Sequence, residues 1–184
     1  YAKQALVNSA LATGDHFGVK IGDRALHCLS ADFIAGKMML VRAMILGLEL
    51  AICPPNGNVL EGNTTVYDFA AMVPMQVVHA MNQINQVKTL LIGGAAPSTT
   101  LLHQLQSKKT NSFVTYGMTE TLTHIASRSI KSNDAVYTVL PGVHITQDDR
   151  QCLIIKVPYL TDADVVTNDV VTLVSDVSFE LLGR

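Results

Sequence analysis

Lys88-Thr89-Leu90-Leu91-Ile92-Gly93-Gly94-Ala95-Ala96-Pro97-Ser98 is the stretch on which the fold turns. Residues 88–92 read as a buried strand, and Ser98 has the side chain that caps a helix, here expected to end near Ser107. Strand, glycine turn and helix in that order are the building unit of α/β layers. Glycines at such a turn let a ligand approach the backbone at the carboxyl edge of a sheet. No Gly-Lys-Ser/Thr follows, so the turn is not a Walker phosphate loop. Taken alone it is a plain connection.

Upstream, the pattern alternates in the same way. Helical periods over 2–12 and 33–46 enclose a strand over 24–29. A strand over 49–53 is closed by Pro54-Pro55-Asn56-Gly57, a turn cluster. Two helices are expected over 64–72 and 74–82, the second with Pro74 in its first turn, where a missing N–H costs least. Downstream, 112–116 reads as another strand. After about Ser129 the period falls towards two, with apolar runs at 136–140, 143–146, 152–157, 170–174 and 179–182. The expectation is an α/β fold: a mixed sheet layer with flanking helices over about 1–129, then a β-rich subdomain over about 130–184. Leu181-Leu182-Gly183-Arg184 closes on a strand with nothing after it, as expected of a truncated large domain.

The bulk numbers exclude several classes. The 184 residues are 48% hydrophobic, enough for one sizeable core, with a net charge of -2 from 13 basic and 15 acidic residues. No basic stripe supports nucleic-acid binding. The longest apolar stretch, 38–52, is interrupted by Arg42 and Glu49, so no membrane span is expected. Cys28, Cys53 and Cys152 are far apart in apolar runs, as buried reduced thiols of a cytoplasmic protein would be. His16, His27, His79, His103 and His144 show no ligand spacing.

The chemistry concentrates in Thr115-Tyr116-Gly117-Met118-Thr119-Glu120-Thr121. A tyrosine ring offers a flat face for a base, glycine admits phosphate oxygens to the backbone, threonine offers a hydroxyl, and Glu120 offers a hard oxygen for Mg²⁺. Any one of these is ordinary in a polar loop; the set is not. Thr167-Asn168-Asp169 carries a carboxylate that suits two ribose hydroxyls, though it reads equally as an Asx turn.

In this order the motifs resemble the adenylate-forming superfamily of acyl- and aryl-CoA synthetases, luciferases and peptide-synthetase adenylation domains. Tyr116-Gly117-Met118-Thr119-Glu120 matches the family's Tyr-Gly-x-Thr-Glu without departure. Gly93-Gly94-Ala95-Ala96-Pro97 resembles its adenine-pocket turn, and Gly22-Asp23-Arg24-Ala25-Leu26 the segment that follows its phosphate loop. Thr167-Asn168-Asp169 is similar to Thr-Gly-Asp with Asn for Gly, and Leu182-Gly183-Arg184 to the segment before the interdomain hinge.

The resemblance implies an AMP-forming acid–CoA ligase acting on a small-molecule carboxylic acid with ATP, Mg²⁺ and coenzyme A. Its phosphate loop and small C-terminal domain are absent from these residues. Tyr116 would stack on adenine, edged by the Gly93, Gly94, Ala95 and Ala96 backbone and flanked by Gly117 and Met118. Thr119 would hydrogen-bond the α-phosphate, Glu120 would bind the metal, and Asp169 with Arg184 would hold the ribose. Residues 116–126 resemble the o-succinylbenzoate–CoA ligase branch of menaquinone biosynthesis. Other fatty or aryl acids, and a non-catalytic nucleotide-binding fragment, remain as alternatives. The family's Pro-x-Phe-His-x-x-Gly appears as Ser30-Ala31-Asp32-Phe33-Ile34-Ala35-Gly36, leaving Phe33 to shield the acyl pocket. His124 follows closely enough to line that pocket, although a structural role is the plainer reading. Arg42 either snorkels to solvent or caps a nearby carbonyl from its apolar helix, or it points inward to hold a second substrate carboxylate.

Overall fold

The structure, a computed structural model, describes residues 2–132, 134–160 and 163–183. The elements in order are α1 (Lys3–Phe17), β1 (Arg24–His27), α2 (Ile34–Leu46), β2 (Glu49–Ile52), β3 (Tyr67–Met72), α3 (Pro74–His79), β4 (Val87–Ile92), α4 (Thr99–Gln106) and β5 (Asn111–Gly117). There follow β6 (His124–Ser129), β7 (Val136–Val139), β8 (His144–Gln147), β9 (Cys152–Lys156), β10 (Val165–Ser175) and β11 (Ser178–Gly183). Among the described residues these strands form one 11-stranded sheet, ordered β2-β1-β3-β4-β5-β6-β7-β11-β10-β9-β8. The first five in that order run parallel. From β6 onward every pairing is antiparallel. The β-rich part is therefore hydrogen-bonded onto the α/β part as the same sheet, and the change of direction comes at β5–β6.

The expected helix over 64–72 is instead β3, paired with β1 on one side and β4 on the other. Its Tyr-Asp-Phe-Ala-Ala-Met sequence contains good helix formers, but a central parallel strand is covered on both faces and shows no clean polar alternation. Strand β6 was not foreseen either. Its neighbours β5 and β7, not its own period, make it a strand.

Side-chain alternation sorts the parallel strands into two cores. Ala25, Phe69, Leu91 and Phe113 face Phe17 of α1 and Met39 of α2. Leu26, Ala70, Leu90 and Val114 face the other way, with Val77 of α3 and Leu101 and Leu105 of α4. Phe69 is 1% exposed, and burying a side chain of its size is worth about 1.5–3 kcal/mol. Two polar devices then fix the loop ends. Ser98 Oγ accepts from the Leu101 N–H at 3.2 Å and starts α4 where expected. Buried Gln76 accepts from the Val73 N–H and donates to the carbonyls of Cys28 and Asn56, tying the exit of β1 to the start of α3.

Candidate functional site

The chain leaves β1 to one side to form β2 and returns on the other side as β3, so the sheet order reverses direction at this pair. Open α/β sheets bind ligands outside the carboxyl ends of strands at such a point. A cavity of about 250 Å³ lies there. Leu29 follows β1, Met72 ends β3, Gly93 follows β4, and Thr115 and Gly117 end β5. Ile34 and Arg42 close the cavity from α2, and Leu122, Thr123 and His124 close it from the start of β6. Gly93 and Gly94 both line it, while Ala95 and Ala96 are exposed beside it. Gly94 has φ +81°, a conformation that L side chains rarely adopt, so the turn needs glycine there.

The Tyr-Gly-Met-Thr-Glu stretch is a hairpin corner. Strand β5 stops at Gly117, a 3-10 turn spans Thr119–Thr121, and β6 returns antiparallel. A Cβ on Gly117 would sit 2.3 Å from the Thr123 carbonyl oxygen and 2.5 Å from His124 Cα. Only glycine lets the returning strand come this close. Thr121 Oγ1 accepts from the Met118 N–H at 3.0 Å, and Leu122 is held at φ +63° with its side chain fully buried. A non-glycine residue in that region stores backbone strain, which persists only where packing over-determines it. Met118 and Thr119 line the cavity, and Thr119 and Glu120 are exposed at the tip. Among the described residues no group of three or more His, Cys, Asp or Glu is placed to hold a metal. A single exposed carboxylate nonetheless suits Mg²⁺, which keeps several waters and is commonly held by one carboxylate together with substrate phosphates.

Tyr116 lies on the opposite face from Thr115 and Gly117. It is 8% exposed, so little of the flat ring expected to meet a base is open. The ring packs edge-on against Tyr137 and Phe179, with centroids 6.1 and 5.3 Å away. Its hydroxyl donates to Asp169 Oδ2 at 2.6 Å. Two residues singled out independently in the sequence are thus joined. Asp169 does not sit in an Asx turn. It lies within a register shift of β10, between Val166 and Val170, where Thr167 Oγ1 donates to the Leu153 carbonyl and accepts from the Asp169 N–H. The irregularity aims the carboxylate inward.

Arg42 is 3% exposed, which excludes snorkelling. Its Nε donates to Thr13 Oγ1 at 3.3 Å and its Nη2 to Thr123 Oγ1 at 2.5 Å. Among the described residues it forms no ion pair. Burial pushes its pKa down to about 10. His124 is buried beside it and also lines the cavity. Burial first, then Arg42 and His16, holds the His124 pKa well below that of a free imidazole.

Phe33 does not wall the cavity. It precedes α2 and is 71% exposed, while the next two residues, Ile34 and Ala35, supply the wall. The helix begins one residue later than expected, so its inward face starts at Ile34. Arg184 lies outside the described residues. Thr13 was missed: it lies on α1, far from every motif, and the sequence carries no signal for it beyond one of the two hydroxyl residues, Ser9 and Thr13, in an Ala-rich helix. The three cysteines are free, Cys28 and Cys152 buried and Cys53 partly so. Burial raises the Cys28 thiol to about 12, too high for a reactive thiolate at neutral pH. Among the described residues no helix is long and apolar enough to cross a membrane.

Residues 2–152 match the family described as AMP-binding enzyme. No curated protein matches the chain in sequence. Among solved structures, it is similar to an acyl-CoA synthetase (AMP-forming)/AMP-acid ligase II-like protein from Dyadobacter fermentans. The identity is 35% and the TM-score 0.94, over 100% of this chain and 55% of that one. It is also similar in fold to o-succinylbenzoate coenzyme A synthetase (MenE) from Bacillus subtilis in complex with AMP. That match has 20% identity and a TM-score of 0.86, over 100% of this chain and 45% of that one. E. coli MenE with a bound phenylether-linked analogue of OSB-AMS gives 18% identity and 0.83, over 100% of this chain and 45% of that one. The chain thus spans about half the length of these proteins.

Proposed function

The chain belongs to the AMP-binding enzyme family, and from that premise we propose that the full-length protein is an AMP-forming acid–CoA ligase whose acid carries two carboxylates. In the first step the acid's carboxylate oxygen attacks the α-phosphorus of ATP. The bond to the bridging oxygen breaks, and pyrophosphate leaves. In the second step a coenzyme A thiol attacks the acyl carbon and expels AMP. Both steps rely on positioning and charge neutralisation more than on covalent help from the protein.

Thr119, beside the cavity and exposed, is the residue to hydrogen-bond the α-phosphate. Glu120 is the ligand to a magnesium ion, which would neutralise phosphate charge when bound. Gly93, Gly94, Ala95 and Ala96 edge the adenine, with Tyr116, Gly117 and Met118 at its side. Asp169 takes the ribose hydroxyls, helped by Arg184, as the family resemblance implies. The acyl group occupies the cavity, with His124 in its wall.

One observation carries the substrate reading: a guanidinium 3% exposed, in the wall of the cavity, with no ion pair among the described residues. A buried cation without a counter-ion costs several kcal/mol, on the order of what breaking a buried pair costs. A ligand carboxylate supplies the missing charge, and the planar fork of Arg binds it at two points. An aryl-keto diacid such as o-succinylbenzoate meets this need, since only one of its carboxylates is activated. A second reading, a fatty or simple aryl acid, draws on the apolar wall of Leu29, Ile34, Ala35 and Met72. Pyrophosphate exchange by the full-length protein across diacids, benzoates, fatty acids and amino acids separates them. Exchange with o-succinylbenzoate is expected, and a response to fatty acids alone sinks the diacid assignment.

A further inference from the structure

We infer that Thr13, Thr123 and His124 form a hydrogen-bond chain of fixed direction that aims the Arg42 guanidinium into the cavity, making them positioning residues for the acid. This rests on the role of Arg42 given above.

The direction follows from counting hydrogens. Thr13 Oγ1 lies 3.0 Å from the Ser9 carbonyl, and a carbonyl can only accept, so the Thr13 hydroxyl hydrogen goes there. The Thr13 oxygen is then left to accept. It does so from Arg42 Nε at 3.3 Å, and its contact with His124 Nε2 at 3.4 Å requires a hydrogen on that nitrogen. At the other side Thr123 Oγ1 accepts from Arg42 Nη2, so its own hydrogen is free to point at His124 Nδ1, 3.3 Å away. The Thr13 end puts the hydrogen on Nε2, and in a neutral ring that leaves a lone pair on Nδ1 for the Thr123 hydroxyl. One species satisfies both ends, a neutral imidazole protonated at Nε2.

The surroundings favour that species. His124 is 9% exposed, its ring lies edge-on to Phe17 with centroids 5.7 Å apart, and a second positive charge would face Arg42. Among the described residues, the charged or titratable groups acting on it are Arg42 from α2 and His16 from α1. His16 in turn is held by Ser127 Oγ at 3.0 Å. With Nε on Thr13 and Nη2 on Thr123, the Nη1 amino group has no hydrogen bond among the described residues. A guanidinium pinned along one edge presents the rest of its fork in a set direction, which is how second partners raise the affinity of a binding group. Three elements far apart in sequence (α1, α2 and the start of β6) each supply one part.

Two measurements on the full-length protein test this. Nitrogen-15 NMR at pH 7.5 is expected to show His124 as the neutral Nε2–H tautomer; an Nδ1–H or cationic ring overturns the chain whatever the substrate. In pyrophosphate exchange, Thr13→Val is expected to raise KM for the diacid by about tenfold, the scale of one hydrogen bond to a charged group. KM for ATP should stay unchanged, and Thr13→Ser should restore the acid KM. An unchanged acid KM in Thr13→Val, alongside a raised one in Arg42→Ala, overturns the positioning role and leaves the diacid reading standing. An unchanged acid KM in Arg42→Ala overturns the diacid reading and the positioning role with it.

Discussion

Tyr116 and Asp169 are 53 positions apart and share a 2.6 Å hydrogen bond, phenol to carboxylate, in a site where both are 8% exposed. The bond ties the end of the parallel sheet to the antiparallel strand β10. It also fixes the carboxylate in a defined place beside the Tyr-Gly-Met-Thr-Glu corner. Tyr116→Phe keeps the ring packing on Tyr137 and Phe179 and removes only the donor. A loss of about 1.5–3 kcal/mol in unfolding free energy is expected, as for a buried hydrogen bond to a charged group. Urea denaturation reads this directly, and a loss below a few tenths would mean that Asp169 relaxes onto other partners.

Glu120 is exposed at the tip of the corner. Glu120→Gln in the full-length protein should leave the urea midpoint in place and lower the adenylation rate about tenfold, or about 1.4 kcal/mol in the barrier. The difference should be largest at limiting Mg²⁺. An unchanged rate there would make Glu120 a solvent-facing loop residue.

Arg42 is held at a cost, since its charge is buried without an ion pair among the described residues. Arg42→Met keeps the length and apolar stem of the side chain and removes that charge. Replacing buried ionic groups by apolar ones of similar volume often stabilises by about 1–4 kcal/mol. Losing the bonds to the Thr13 and Thr123 oxygens works against this by about 1.5–3 kcal/mol each. The two effects are of similar size, so the variant should melt within a few degrees of the parent while losing diacid-dependent exchange. A melting temperature lowered well beyond that would give Arg42 a structural role instead.

His16, His27 and His124 all have pKa values lowered by burial from the usual 6.5. Below pH 6.5 the unfolded chain therefore binds more protons than the folded one, so stability falls as pH drops through that value and is retained above it. His124 is held furthest down and should carry the largest share. The urea midpoint is expected to fall between pH 7 and pH 5, and His124→Gln should flatten the decline. A midpoint constant over that range would mean that these rings are solvated.

Much of this protein was legible in its sequence because the deciding signals are local. Strand β4, the Gly93-Gly94 turn, the Ser98 cap and α4 lie within a few turns of chain, so periodicity and turn chemistry alone specify them. The Tyr116–Glu120 motif was legible for the same reason, its turn held by contacts between near neighbours such as Thr121 and Met118, although the strand β6 that returns from it was not. What the sequence left open depends on partners far along the chain. The segment Tyr67–Met72 is a strand only because β1 and β4 flank it, overriding its helix-forming residues. The ring of Tyr116 turns away from the cavity because strand alternation places Thr115 and Gly117 there. Arg42 is a pocket residue and not a surface one because Thr13, 29 positions before it, and Thr123, 81 positions after it, converge on its guanidinium. Contacts at such separations arise only when the whole sheet is assembled, and no local pattern in the chain encodes them.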